Sequence, residues 1–161
     1  MSVTYFPRRS LLFVSNGGIC RAPMAAGVLS HLLQSIDLGW SLRVASVAMS
    51  DVHVGKAPDP LAIAVSAARG YEIRDIRVRQ VRPHDLEATS VLALDAVVLT
   101  SLRNIAPHSL GDRPQLLARY SGLGVSNIVD PYGGTMVDYE MALNLIEVSC
   151  KGLLAALASD R

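Results

Sequence analysis

Short apolar runs alternate with helix-patterned segments along most of the chain, and this alternation limits the possible folds more than any other feature. The patterns predict strands at residues 11–14, 42–48, 90–94 and 125–129. Helices are predicted from Pro23, over residues 59–70, over 96–102, and from about Met136 onward. Strands that alternate with helices imply right-handed crossovers and a parallel sheet. We therefore predict an α/β fold with a doubly wound, four-stranded parallel sheet and helices on both faces.

The composition is that of one ordinary globular domain, which we expect to span residues 1–161. The two cysteines, Cys20 and Cys150, are too few for a secreted disulfide framework, so a cytoplasmic location is expected. A net charge of +1 argues against a nucleic-acid partner. The unbroken apolar runs are far shorter than the ~20 residues of a membrane span, so no membrane association is expected.

Two further groups of residues carry little functional signal. The histidines show no metal-ligand spacing, so no metal or other cofactor is expected; they are His31, His53, His84 and His108. A group of arginines alternates with apolar residues, which favours a solvated or edge-strand face over a site for a phosphate-rich partner. These arginines are Arg74, Arg77, Arg79 and Arg82.

The segment after the first predicted strand, residues 15–21, has the features of an anion-binding loop. It joins a buried strand to a helix N-terminus and contains two adjacent glycines, Gly17 and Gly18. Successive backbone N–H groups in such a loop can converge on an anion, helped by the positive end of the helix dipole. Arg21 adds a planar fork of donors that suits two phosphate oxygens. On these residues alone, a tight turn whose glycines supply positive φ explains the loop equally well.

Residues 14–24, with the sequence VSNGGICRAPM, resemble the opening motif of the low-molecular-weight protein tyrosine phosphatases. That motif is an apolar strand, a cysteine, five further residues, and then arginine, serine and proline, and this chain follows the frame without gaps. Later segments resemble other family elements in the same order, at residues 55–60, 79–81, 92–95 and 130–133. The resemblance covers most of the chain and implies the family's fold and its phosphotyrosine chemistry.

The resemblance implies a two-step hydrolysis of phosphate monoesters. A cysteine thiolate attacks phosphorus, the loop amides and an arginine hold the equatorial oxygens, and an aspartic acid protonates the leaving phenol. Carried onto this chain, Arg21 binds phosphate, Asp130 is the acid and base, and Tyr132 is a wall of the phenol slot. Because both segments follow strands of one parallel sheet, Asp130 should lie across the loop mouth from Arg21. The implied phosphate-binding residues are Asn16, Gly17, Gly18, Ile19, Cys20 and Arg21.

The position of the nucleophilic cysteine holds Ser15 in this chain. A hydroxyl is a far weaker acid than a thiol, and the next five residues include no histidine or lysine to act as its base. Cys20 cannot replace the nucleophile, because Arg21 follows it directly. The expected ligands are a phosphotyrosine protein or small phosphate ester, and inorganic phosphate or sulfate. Two functions are compatible with this sequence. The first is the family's phosphatase chemistry, impaired because Ser15 replaces the nucleophile. The second is a non-catalytic phosphotyrosine-binding pseudophosphatase that acts through a protein partner.

Ser15 is either natural or a Cys-to-Ser exchange of the kind used to trap substrates. Three other departures from the family pattern, at Ala22, at Gly18 and at Val52 and His53, bear on the site. Ala22 replaces a family serine that hydrogen-bonds the thiolate, and Gly18 replaces an asparagine that braces the loop, which favours a natural origin. Val52 and His53 fall where the family has an aromatic residue, which predicts that this wall of the slot is missing and that phosphotyrosine selectivity is weakened.

Overall fold

The computed structural model describes residues 8–159, and this range contains a sheet of four parallel strands. A single domain over residues 1–161 was predicted, and its two ends, residues 1–7 and 160–161, lie outside the described residues. The sheet confirms the predicted α/β class. Its strands, in the spatial order β2-β1-β3-β4, are β1 (Arg8–Ser15), β2 (Ser41–Ala48), β3 (Ser90–Ala93) and β4 (Pro114–Leu116).

Helices cover both faces of this sheet, as predicted. Leu11 and Phe13 of β1 belong to the apolar core that packs against the first, second and fourth helices, whereas Leu12 and Val14 point to the opposite core, which includes the third helix. The helices are α1 (Arg21–Leu33), α2 (Pro60–Ala68), α3 (Ala96–Ile105) and α4 (Met136–Ser159), and short 3₁₀ turns lie at residues 83–87, 108–110 and 117–121.

The helix starts follow from local sequence, with one correction. α1 begins at Arg21, two residues before the predicted start at Pro23. Proline fits here because the N–H groups of a first helical turn have no intrahelical acceptor. α2 begins after Asp59, as predicted, and the Asp59 carboxylate accepts a hydrogen bond from the Leu61 N–H at 2.9 Å. The early start of α1 makes Arg21 both the end of the loop and the first helical residue.

The fourth strand lies at Pro114–Leu116, so the strand predicted at residues 125–129 is wrong. Pro114 is tolerated because β4 is an edge strand, where an N–H donor can be absent without breaking the ladder. Residues 125–129 instead cross the carboxyl end of β3, where the Ile128 N–H donates to the Leu94 carbonyl at 3.0 Å. Ile128 is completely buried at this crossing. The strand-like pattern of residues 125–129 therefore marks a crossing segment in which Ile128 alone is buried.

α4 is the helix of the described range that is long and apolar enough, by length and composition, to cross a membrane. One apolar face of α4 packs inside the protein: Tyr139, Leu143 and Ile146 are buried in the core shared with α1 and α2. The spacing of these residues predicted this face from the sequence. The side of α4 that turns away from the core keeps several exposed apolar residues, among them Met141 and Val148.

Candidate active site

A cavity of about 220 Å³ opens at the carboxyl edge of the sheet, around residues 15–21. Parallel α/β sheets bind their ligands at this edge. The lining also includes Val52, His53 and Ser50. The sequence predicted no role at the site for Ser50. The cavity also brings together every predicted site residue: Ser15, Asn16, Gly17, Gly18, Ile19, Cys20, Arg21, Asp130 and Tyr132.

The backbone of the 15–21 loop is anchored through its carbonyl groups. The Ser50 N–H donates to the Asn16 carbonyl at 2.9 Å, and the Asp59 N–H donates to the Ile19 carbonyl at 2.8 Å. Within residues 8–159, no hydrogen bond uses the N–H groups of residues 17–20. Unused N–H groups beside a helix N-terminus can bind an anion, because each is a donor without an acceptor and the helix dipole adds positive potential.

Gly18 has a left-handed backbone conformation and packs closely against the end of β2. Its φ is 74°, in the left-handed region. A Cβ atom at this position would lie 2.7 Å from the Ala48 Cβ at the end of β2. The replacement of the family asparagine by glycine is therefore compatible with the loop, which lies directly against β2.

The Arg21 side chain is held at the bottom of the cavity by fixed acceptors. It is only 3% exposed. Its Nη1 donates to Asp95 Oδ2 at 2.7 Å and to the Ile128 carbonyl at 2.9 Å. Its Nη2 lies 3.8 Å from Asp130 Oδ2, so Asp130 faces Arg21 across the mouth of the loop, as predicted. With Nη1 occupied, Nη2 and the Nε–H are the donors of the guanidinium that remain for a ligand.

Asp95 and Ile128 are functional neighbours that the sequence did not reveal. The Asp95 carboxylate has two partners: Oδ2 accepts from Arg21, and Oδ1 accepts from the Val98 N–H at 2.8 Å and so caps α3. The available signal for Asp95 is an acidic residue directly after the predicted third strand, at the sheet edge where the loop begins. Ile128 acts through its backbone carbonyl, and a carbonyl leaves no signal in residue type.

The 130–132 segment forms the outer side of the cavity. Asp130 Oδ1 accepts a hydrogen bond from the Tyr132 N–H at 3.1 Å, which closes a local turn. The Tyr132 ring faces the His53 ring with 6.1 Å between the ring centroids and 55° between the planes. The second wall, predicted to be missing, is therefore occupied by His53, with Val52 also in the lining. Sequence reasoning missed this because the turns after β2, and not residue type, bring His53 over the loop.

The Ser15 hydroxyl lies at the end of β1, inside the cavity. The residue is 2% exposed, and its Oγ has no hydrogen-bond partner in the described structure. Ala22, at the position of the family serine, is completely buried and offers no hydroxyl. A buried hydroxyl without a partner is costly, by roughly 1–3 kcal/mol, so this atom is a place where a ligand could supply the missing hydrogen bond.

Cys20 has the surroundings of a structural cysteine. Its Sγ lies 3.6 Å from the Tyr139 hydroxyl, and the residue is buried. Burial raises the pKa of the Cys20 thiol to about 12, although the Tyr139 hydrogen bond acts in the opposite direction. At neutral pH the side chain is therefore a thiol and a poor nucleophile.

The remaining sequence candidates lie outside this cavity, apart from His53. Arg79 pairs with Asp85 through two hydrogen bonds of 2.8 and 2.9 Å. The Arg79 carbonyl accepts a hydrogen bond from the N–H of Ala48, the last residue of the edge strand β2. No group of three or more His, Cys, Asp or Glu residues in the described range is arranged to hold a metal ion.

The fold and the cavity define a class: parallel α/β proteins with an anion-binding loop between the first strand and the first helix. Within that class, the chain belongs to the low molecular weight phosphotyrosine protein phosphatase family, whose model matches residues 10–161. Low molecular weight protein-tyrosine phosphatase A of Mycobacterium tuberculosis is 34% identical over 144 residues, which are 88% of this chain and 86% of that protein. The Streptomyces coelicolor relative is also 34% identical, over 90% of this chain and 91% of its own length.

Solved structures give the same result for the fold. The crystal structure of YfkJ from Bacillus subtilis superimposes with a TM-score of 0.89 at 27% identity, and the match covers 96% of this chain and 98% of that one. The chain thus matches relatives over nearly the whole length of both proteins. Phosphotyrosine phosphatase chemistry is the activity of the family, and the residues of this chain determine how much of it applies here.

Proposed function

We propose that this protein binds phosphate monoesters, phosphotyrosine above all, in the 15–21 loop, and hydrolyses them far more slowly than a relative with a cysteine at position 15. The observation that carries the proposal is the Ser15 hydroxyl, buried in the cavity without a hydrogen-bond partner. An alcohol nucleophile needs an adjacent base to remove its proton. In the described structure nothing occupies that position, so the attacking group stays a neutral hydroxyl.

Binding does not depend on Ser15. The N–H groups of residues 17–20 are unused, and Arg21 directs Nη2 toward the cavity while Asp95 and Ile128 hold Nη1. Charge-assisted hydrogen bonds of this kind are roughly twice as strong as neutral ones. A phosphate group would also give the Ser15 hydroxyl an acceptor that it lacks. These donors support phosphate binding with or without subsequent hydrolysis.

Asp130 and Tyr132 support a role for the protein on aryl phosphates. A leaving phenolate needs a proton, and the position of the Asp130 carboxyl, 3.8 Å from Arg21 Nη2 at the cavity mouth, supports its role as the donor. The rings of Tyr132 and His53 contact each other at the cavity mouth, with their centroids 6.1 Å apart, and form an aromatic rim against which a phenol ring can pack. In this proposal Arg21 binds, Asp130 is acid and base, and Ser15 is the deficient nucleophile.

The alternative, a non-catalytic binding protein that acts through a phosphorylated partner, rests on the same unpartnered Ser15 and on Ala22. A hydroxyl at residue 22 has no purpose where there is no thiolate to stabilise, so both positions fit a natural loss of hydrolysis. The codon for residue 15 in the source genome distinguishes a natural serine from an introduced one.

Binding and turnover are to be measured on the same preparation. Phenyl phosphate is titrated calorimetrically into the unmodified chain, and hydrolysis of p-nitrophenyl phosphate is followed in parallel, with Arg21→Ala as the control. We expect saturable binding that inorganic phosphate competes and that Arg21→Ala loses, with turnover near background. Turnover that survives repurification and disappears in Arg21→Ala would contradict the impairment, and absence of binding would contradict both functions.

A further inference from the structure

A second cavity, of about 440 Å³, lies on the other side of the 130–132 segment, and nothing in the phosphate chemistry uses it. Asp130 and Tyr132 line both cavities, so the two spaces share one wall. We call the second cavity the α4 groove, since α4 provides one of its sides. Its apolar lining consists of Val129, Pro131, Tyr132, Met141, Ala142 and Leu145.

Three of the apolar residues that line the α4 groove are strongly exposed. Val129 is 77% exposed and Met141 is 63% exposed, and Tyr132 between the two cavities is 59% exposed. Met136 and Val137, on the first turn of α4, are exposed as well. A contiguous set of exposed apolar side chains beside a binding site marks a surface that contacts a ligand, because burial of such side chains is favourable.

We propose that the α4 groove binds an apolar side chain next to the phosphotyrosine of a peptide substrate. This rests on the proposed function, because a phosphotyrosine in the first cavity brings its own peptide backbone to the shared wall. Only the wall formed by Asp130 and Tyr132 separates the two cavities, and an extended peptide, which advances at most ~3.6 Å per residue, can cross it within a few residues. The occupant is therefore the flanking sequence of the ligand already expected in the phosphate cavity.

The charges around the α4 groove determine which side chain fits. Its polar border is formed by the carboxylates of Asp130 and Asp138. Asp138 Oδ2 is held in place by the Thr135 N–H at 2.7 Å and by the Thr135 hydroxyl at 3.1 Å. Two fixed carboxylates disfavour an acidic residue, and the lining favours a leucine or methionine. The groove thus selects phosphotyrosine with an apolar neighbour and rejects phosphotyrosine with an acidic one.

The test measures the affinity of labelled phosphotyrosine peptides for the unmodified chain by fluorescence anisotropy. The reference peptide carries phosphotyrosine among glycines, and test peptides carry one leucine or one glutamate at positions from two before to two after the phosphotyrosine. We expect leucine at one of these positions to tighten binding about tenfold over glycine, as for substantial burial of one leucine. Glutamate at the same position should weaken binding.

Two matched variants on α4 locate the effect. Met141→Gln should remove most of the preference for leucine and leave the affinity for phenyl phosphate unchanged. Val148→Gln changes an exposed apolar residue two turns further along the same helix, outside the groove, and should retain the preference. Retention of the leucine preference in Met141→Gln would overturn the proposal.

The remaining outcomes separate this proposal from the proposed function. If phenyl phosphate binds but leucine and glycine peptides bind equally, the groove proposal fails and the phosphate site stands. If neither phenyl phosphate nor any peptide binds, both fail. If the unmodified chain self-associates in sedimentation velocity and Met141→Gln abolishes that association, the occupant is a second copy of the chain, which also overturns the peptide proposal.

Discussion

The 15–21 loop and the 130–132 segment face each other across one cavity, yet the core holds them very differently. Arg21 is 3% exposed and makes hydrogen bonds to Asp95 and Ile128. The Asp130 side chain is 49% exposed. Its carboxylate accepts a hydrogen bond from the nearby Tyr132 N–H and lies 3.8 Å from Arg21 Nη2. The phosphate side of the site is part of the hydrophobic core, whereas the leaving-group side is part of the surface.

This difference separates two properties that an active phosphatase combines. Recognition of the phosphate group depends on buried, fixed donors, and such donors act without reorganising when the ligand arrives. The chemical step needs a nucleophile and an acid, and in the function proposed above the first is Ser15 and the second is the exposed carboxyl of Asp130. The protein can therefore retain phosphate binding while the chemical step is lost, and variants of each side should affect different measurements.

The largest effect is expected from Ser15→Cys. A thiolate is a much better nucleophile than a neutral hydroxyl, so kcat for p-nitrophenyl phosphate should rise on the order of 10³-fold or more. Steady-state kinetics at several pH values measure this. The affinity for inorganic phosphate should change much less than kcat. A variant that gains no activity although it folds and binds phosphate would show that the leaving-group side is also defective.

Arg21→Ala is expected to have the next largest effect, on binding. The change removes charge-assisted hydrogen bonds and leaves the Asp95 carboxylate without its cation, so phosphate affinity should fall by ~10²-fold or more. Calorimetric titration with phosphate gives the value, and thermal unfolding shows whether the variant stays folded. Arg103→Ala, on the exposed side of α3, is the control for loss of a positive charge. Equal losses in both variants would mean that net charge, and not Arg21, determines binding.

Ala22→Ser in the Ser15→Cys background tests the position next to Arg21. A hydroxyl there can hydrogen-bond a thiolate at residue 15, a contact worth ~1.5–3 kcal/mol, and each ~1.4 kcal/mol is tenfold in rate. The double variant should therefore exceed Ser15→Cys by about one to two orders of magnitude in kcat/KM. Full family-level turnover from Ser15→Cys alone would show that Ala22 is harmless and would favour an introduced serine.

The smallest effects are expected on the exposed side. Tyr132→Ala and His53→Ala each remove one ring of the aromatic rim at the cavity mouth, which should weaken binding of phenyl phosphate roughly three- to tenfold. Methyl phosphate has no ring, so its affinity should stay nearly constant in both variants. Comparing the two esters by calorimetry isolates the ring contact. A parallel loss for methyl phosphate would place these side chains on the phosphate and not on the ring.

The sequence predicted the parts of this molecule that have a local signature. The loop at residues 15–21 follows a true strand, and its place at the carboxyl edge of the sheet could be predicted. Asp130 does face Arg21 as predicted, but the predicted reason was wrong, because residues 125–129 are not a strand and reach this edge by crossing the end of β3. β4 had no comparable signature, because three residues beginning with Pro114 are too short to show the alternation of a strand.

The missed contacts depend on tertiary structure and not on residue type. His53 reaches the loop because the turn after β2 folds back over Gly17, where a Cβ atom would lie 3.3 Å from the His53 ring. In residues 125–129 only Ile128 is buried, whereas Val125 and Val129 are exposed. Three β-branched residues in a short segment resemble a strand in sequence whether or not the segment pairs in the sheet. Backbone acceptors such as the Ile128 carbonyl are invisible to any analysis of side chains.

Ile128 also has a consequence for how this protein can diversify. Its N–H is fixed to the Leu94 carbonyl and its own carbonyl to Arg21, so the chain is fastened at one residue directly before the exposed 129–135 loop. Insertions or substitutions beyond that residue can alter the slot and the α4 groove without shifting the buried arginine. Under the proposed function, changes in this one surface loop can therefore alter substrate choice while the phosphate-binding arginine keeps its position.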